Sequence, residues 1–418
     1  MFAAIVPFVA WSAWLPIQPL GTDESAVKWT VTERIRYENK QNFLFGSAGP
    51  ANDDDFYLVQ VRFGFDFPVG AWHGHVEGQS AHALGSAAIS VDATPNIFED
   101  RFDLHQAFVE GEGVRIGRQK LSYGQQRLVG AFEWSNTARV FDAAKVTLPM
   151  GGAALDFFAA KPIAVRPANF NDWSKSGTRA FDSELYGAVF RNQTSAGKTR
   201  YEAYYLVRHS SDFDDTVHTV GAYAEGSLSS WSWDAEGAYQ FGDFGGMTHR
   251  AYAASVGARA KVAQPMTIRG RFNVASGDGD PSDTTHETFD NLYPTNHLHY
   301  GQMDLFAWMN QVSAEIGASW KLCPRATLDA SYHWFWLMEP ETDAWYNAGG
   351  GIVRPGAPGA DRFVGGELDL RLDFKPDDGT SLSMGYSQFF PGSFVSFTGS
   401  DREAQFFYAM GQWKFGSK

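Results

Sequence analysis

The sequence predicts an all-β protein: a closed antiparallel transmembrane β-barrel of about eighteen strands, with short periplasmic turns and long extracellular loops. Three observations predict it. Apolar and polar residues alternate with a period of two along most of the chain, and helical periodicity is hard to find. The segments between the alternating runs are long and short in turn. Finally, 34 Phe, 16 Tyr, 14 Trp and 43 Gly occur in a chain of 418 residues that is polar on average.

The first element is not a strand. Phe2 to Leu20 are continuously apolar, broken by Pro7, Pro16 and Pro19. With Ala10 or Ala13 as the small-residue end, residues 1–20 read as a signal peptide whose start is truncated or misassigned, because no Lys or Arg precedes the apolar run. The plainer alternative is a disordered or plug-like segment. Residues 21–418 are read as one barrel domain.

From Val27 the alternation begins. Trp29, Val31, Ile35 and Tyr37 share one parity; Lys28, Thr30, Thr32, Arg34, Arg36 and Glu38 share the other. Tyr57, Val59, Val61, Phe63, Phe65 and Phe67 then oppose Gln60, Arg62 and Asp66. Trp231, Trp233, Tyr239 and Phe241 oppose Ser232, Asp234, Glu236 and Gln240, and Leu368, Leu370, Leu372 and Phe374 oppose Glu367, Asp369, Arg371 and Asp373. Such runs begin near residues 27, 56, 71, 103, 113, 142, 152, 183, 200, 218, 231, 250, 265, 303, 325, 363, 380 and 404. In the last, Phe407, Ala409, Gly411, Trp413 and Phe415 alternate with Phe406, Tyr408, Met410, Gln412 and Lys414. A terminal strand ending in an aromatic resembles the signal by which outer-membrane proteins are recognised for insertion, although Gly416-Ser417-Lys418 trails beyond it.

The connections carry equal weight. Gaps after odd-numbered strands are mostly long (39–55, 82–102, 120–141, 162–182, 276–302 and 338–362), and those after even ones are tight, as at Pro68-Val69-Gly70 and Gly111-Glu112-Gly113. A soluble sandwich has no reason to alternate so regularly; a bacterial outer-membrane barrel does. Lipid offers no partner to a backbone N–H, so strands cross it only in a closed sheet. The apolar parity then faces lipid, and the parity rich in Arg, Glu, Asp, Gln and Thr faces a polar, water-filled lumen rather than a packed core. No run of about 18 apolar residues follows the N-terminus, which excludes a helical membrane protein. One cysteine, Cys323, excludes an intrachain disulfide framework and a Cys-based zinc cluster. A net charge of -14 argues against nucleic acid.

Residues Gly117–Leu148 read GRQKLSYGQQRLVGAFEWSNTARVFDAAKVTL. This segment resembles the alginate export family of outer-membrane barrels. The likeness continues through ASGD, TFDNLYPTNH and YGQMDLF in Ala275–Phe306, through Trp345-Tyr346-Asn347 and Gly366–Leu370, and to Gly385-Tyr386 and Phe389-Phe390-Pro391-Gly392. The first hundred residues match only in strand pattern. The resemblance implies an eighteen-strand channel for an anionic saccharide, an alginate-like polyuronate, with outer-membrane lipid around it and a possible periplasmic partner.

The function of a pore lives in its lumen charges and constricting loops. By parity Arg34, Arg36, Arg62, Arg269, Arg271 and Arg371 point inward, as do Glu236, Glu367 and Asp369; the resemblance adds Arg118, Arg127 and Arg139. A guanidinium stays charged and pairs bidentately with carboxylates, which suits it to a polyuronate. The plainer reading is that these arginines pair with Asp66, Glu184, Glu202, Glu236, Glu367 and Asp369 and brace the wall. Acids at Asp53-Asp54-Asp55, Glu99-Asp100, Asp212-Asp214-Asp215 and Asp278-Asp280-Asp283 fall in expected loops, where they keep loops solvated or bind cations. Trp134 and Trp345 could stack on sugar rings or pack loops. His73-x-His75 and His297-x-His299 lack further ligands, so no metal or cofactor is expected, and no nucleophile-and-base motif argues for a barrel enzyme. Passive passage of an anionic saccharide or similar anion is the expected function. A porin of the same fold for other small solutes is the alternative.

Overall fold

β1 (Lys28–Gln41) puts Trp29 and Ile35 on the outside and Arg34, Arg36 and Glu38 inside. The computed structural model describes residues 27–417 apart from 48, 91 and 193–198, so the signal-like segment lies outside the described residues. The wall continues with β2 (Asp54–Val69), β3 (Trp72–Leu84), β4 (Asp100–Gly111), β5 (Val114–Gln119), β6 (Phe141–Pro149), β7 (Ala153–Pro162), β8 (Glu184–Asn192) and β9 (Arg200–Ser210). It is completed by β10 (Asp215–Leu228), β11 (Trp231–Phe244), β12 (Met247–Ala263), β13 (Met266–Ala275), β14 (Gln311–Cys323), β15 (Ala326–Leu337), β16 (Phe363–Phe374), β17 (Thr380–Pro391) and β18 (Ala404–Gly416). Each pairs antiparallel with the next. β18 returns to β1 in register from Thr30↔Gly416 to Gln41↔Gln405, closing an eighteen-strand barrel that leaves no free edge.

Because side chains alternate across a strand, the outer surface is apolar. Trp29, Phe63 and Leu370 are exposed there, and Val61 and Trp413 are half-buried on the same face. Turns after even strands are short, such as 70–71, 112–113 and 229–230. Connections after odd strands are longer, with two exceptions at 211–214 and 245–246.

Three expectations need correction. The strand expected near 303 begins at Gln311. Met303, Leu305, Phe306 and Trp308 are buried inside the barrel, where Phe306 stacks on Phe335 at 3.7 Å. Their apolar spacing reflects packing of a loop, which sequence alternation does not distinguish from a wall strand. The lumen is also not simply polar. Loop 120–140 crosses it: Arg34 and Gln60 on one wall donate to its carbonyls, and Gly124 N donates to Glu202 Oε2 on the opposite wall at 2.7 Å. Loop 276–310 runs beside it, with Gly130 N to Tyr293 O and Tyr293 N to Leu128 O both at 2.8 Å. With Phe45, Trp345 and Phe389 these loops build an apolar core inside the barrel. Of the acids expected in loops, Asp54, Asp55, Asp100 and Asp215 instead open or lie within strands.

Candidate functional site

Loop 120–140 is held by cations. Arg34 donates to the carbonyls of Glu133 (2.6 Å) and Ser135 (2.7 Å), and Arg36 to that of Trp134 (2.7 Å) while pairing with Glu38 at 2.7 Å. Arg62 pairs with Glu133 at 2.8 Å, and Lys120 reaches the same carboxylate at 2.6 Å. Burial alone would raise the pKa of Glu133, but Arg62 and Lys120 hold it well below the usual carboxylate range. Arg127, fully buried, donates to the Tyr300 hydroxyl at 3.0 Å and lies 3.6 Å from Glu236. Arg139 has carbonyl acceptors at Gly130 (3.0 Å) and Pro294 (2.9 Å); burial without a carboxylate partner lowers its pKa to about 10.

Lower in the wall the arginines lie flat across it. Arg271 reaches over Gly257 on β12 to Asp234 on β11, at 2.6 Å. Arg269 reaches the other way over Gly317 to Asp329 at 2.7 Å, and also pairs with Glu315. A Cβ at Gly257 would stand 2.7 Å from the Arg271 guanidinium and one at Gly317 2.5 Å from that of Arg269, so glycine opens each path. Arg371 pairs with Asp373 at 2.9 Å. Glu367 accepts Met303 N at 2.9 Å and so fixes loop 276–310 to β16, while Asp369 meets His333 at 3.3 Å and Ser387 at 2.6 Å.

Among the acids expected to brace the arginines, only Glu236 meets one of the candidates, Arg127. Asp66 holds His73 and His75 instead, and Glu184 lies 3.9 Å from Lys161. Arg118 does not join the inward set. It shares the parity of Ile116, exposed on the outer wall, and pairs with Asp142 at 2.8 Å. β5 ends early because the chain turns into the lumen, which leaves the upper part of β4 without a strand partner on that side. Arg118 Nη1 donates to Leu104 O at 3.1 Å and so satisfies one carbonyl of that edge.

Neither Trp134 nor Trp345 offers an open face. Trp134 lies between the Arg36 guanidinium at 3.8 Å and the His297 ring at 3.8 Å, and Trp345 is fully buried. Sequence reasoning missed three residues. Lys120 and Glu133 lie in a loop whose contacts no periodicity reveals. Arg259 was legible by its parity with Ser255 and Gly257; it faces inward beside Arg269, and its side chain makes no ion pair or hydrogen bond among the described residues.

The alginate export family model matches residues 26–409. The chain belongs to the alginate export family. It is an outer-membrane channel protein, with the closed barrel that such a placement requires. No curated protein sequence matches it. Solved structures share its fold at low identity. OccAB1 of Acinetobacter baumannii has a TM-score of 0.66 at 11% identity, covering 94% of this chain and 97% of that one. OccK11 (OpdR) of Pseudomonas aeruginosa gives 0.61 at 12%, covering 94% and 96%. OpdK of Pseudomonas aeruginosa, solved with vanillate, gives 0.63 at 10%, covering 94% and 99%.

Proposed function

We propose that this channel passes small organic anions, carboxylates foremost, by passive diffusion. The observation that carries the reading is the charge balance around loop 120–140. Arg34, Arg36, Arg62, Lys120, Arg127 and Arg139 are six cations, and the carboxylates in ion-pair contact with them are three, Glu38, Glu133 and Glu236. Cations thus outnumber their ion-paired carboxylates by three in the collar that this loop and the wall around it form. Charges lining a pore act on the ion at close range, whereas exposed loop acids are screened over about 8 Å at physiological salt. Two loops fill much of the lumen, which favours a small solute; vanillate, held by the OpdK structure, is a carboxylate of that kind.

A second reading is the alginate-like polyuronate. It is favoured by family membership and by Arg259, which adds an unpaired cation at a second level of the lumen.

Reversal potentials in planar bilayers under a salt gradient test the anion pathway. The wild-type pore is expected to prefer anions, and Arg34→Gln with Arg139→Gln to reduce that preference. Arg118→Gln, on the outer face, should leave it unchanged. A cation-selective wild-type pore defeats the proposal. Conductance block by glucuronate against a long oligouronate separates the two readings: only a polymer path is blocked better by the longer chain.

A further inference from the structure

The outer wall of β6–β9 is not smooth. It bears a depression of about 420 Å³ lined by Ala144, Ala159, Ala188, Phe157, Tyr186 and Tyr205 among others. Register explains its shape. One outward row runs Ala144↔Ala159↔Tyr186↔Val207, and the next towards the periplasm runs Val146↔Phe157↔Ala188↔Tyr205. Alanines at three of these positions leave a hollow between the larger Phe157, Tyr186 and Tyr205. The outward row one step towards the extracellular side is polar: Asp142↔Lys161, then Glu184↔His209, with Lys161 Nζ 3.9 Å from Glu184.

We infer that this hollow is a binding groove for an acyl chain of lipid A, the phosphorylated, multiply acylated glucosamine lipid of the outer leaflet. The surface faces hydrocarbon, so a hollow the size of a small-molecule pocket is filled by a chain or forfeits its contacts. The groove is mainly apolar along the row pair, where the Tyr205 hydroxyl is bonded to His218, and carries ionised side chains only at its extracellular rim, the polarity profile of a lipid whose headgroup lies outward. A charge on the lipid face is tolerated only towards the headgroup layer. Lys161, its stem along the wall and its ammonium only loosely paired, is placed to meet a phosphate there. Lipid A is chosen over phospholipid because the polar row lies at the outer, not the periplasmic, end of the groove.

Native mass spectrometry of the purified full chain in mild detergent, titrated with lipid A or with phosphatidylethanolamine, tests this. Wild-type protein should carry a lipid A adduct at lower concentration than any phosphatidylethanolamine adduct. Ala144→Leu with Ala159→Leu fills the hollow with residues suited to a lipid-facing wall and should lower lipid A occupancy at least tenfold. Lys161→Gln should lower it several-fold, while Ala254→Leu, outward on β12, should leave it unchanged. Heat-modifiable gel mobility confirms that each variant is a folded barrel, and an unaltered reversal potential separates this result from the anion pathway. Equal lipid A occupancy in the filled variant, or phosphatidylethanolamine binding as tightly as lipid A in the wild type, overturns the inference.

Discussion

Replacing Glu133 by Gln keeps the shape of the loop that crosses the lumen and removes one negative charge from its collar. Glu133 receives Arg62 at 2.8 Å and Lys120 at 2.6 Å, and its side chain is 33% exposed. Charge-assisted bonds of this kind are worth about 1.5–3 kcal/mol when buried, and partial exposure discounts the pair to about 1–2 kcal/mol in total. The loop should therefore loosen without unfolding the barrel. The electrostatic consequence is larger in kind. Six cations against three carboxylates become six against two. A unit charge about 8 Å from a passing ion contributes about 0.5–2 kcal/mol for an effective permittivity between 80 and 20, or about two- to thirtyfold in relative permeability. Reversal potentials across a planar bilayer should shift towards greater anion preference, and single-channel traces should flicker more. A variant that keeps its gel mobility but shows no shift, or a shift towards cations, would refute the idea that this collar sets the barrier.

Val61→Arg should impair barrel assembly far more than Gln60→Arg, because the first puts a charge on the lipid face at a cost of about 2–4 kcal/mol near the midplane, whereas the second keeps the charge on the polar inner face, losing a bond to Asn136 O and adding a cation beside Arg34; comparing folded fractions by heat-modifiable mobility checks it. Gly257→Leu should push the Arg271 guanidinium, which would stand 2.7 Å from a new Cβ, off Asp234 and destabilise the barrel by about 2–3 kcal/mol, read as a lower urea midpoint. Acid should loosen the lumen loop. Glu133 titrates below its ordinary value in the native state, so its contribution is present above about pH 4.5 and is lost as pH falls through the native value. Wild-type flicker should rise in that window, and Glu133→Gln should flicker at every pH.

Strand number, closure and the face of most wall residues are legible in the amino-acid sequence, because a wall between lipid and water imposes a period of two on every spanning segment. Trp29, Phe63 and Leu370 could point nowhere else. Family motifs add a different kind of signal, and parity warns against reading it as position: Arg118 belongs to the longest motif, yet two residues from Ile116 it shares the outer face and caps the edge of β4. Inside the barrel the rule of alternation has no hold. Residues 303–308 look like a strand because they are apolar in turn, but they pack against Phe335 and Trp345 as a loop. Glu133, which holds both Arg62 and Lys120, sits 71 residues from the first. No local pattern brings such groups together. Periodicity reports the solvent on either side of a strand, whereas the site is made by loops whose surroundings are the protein itself, and only the closed barrel decides which of them meet.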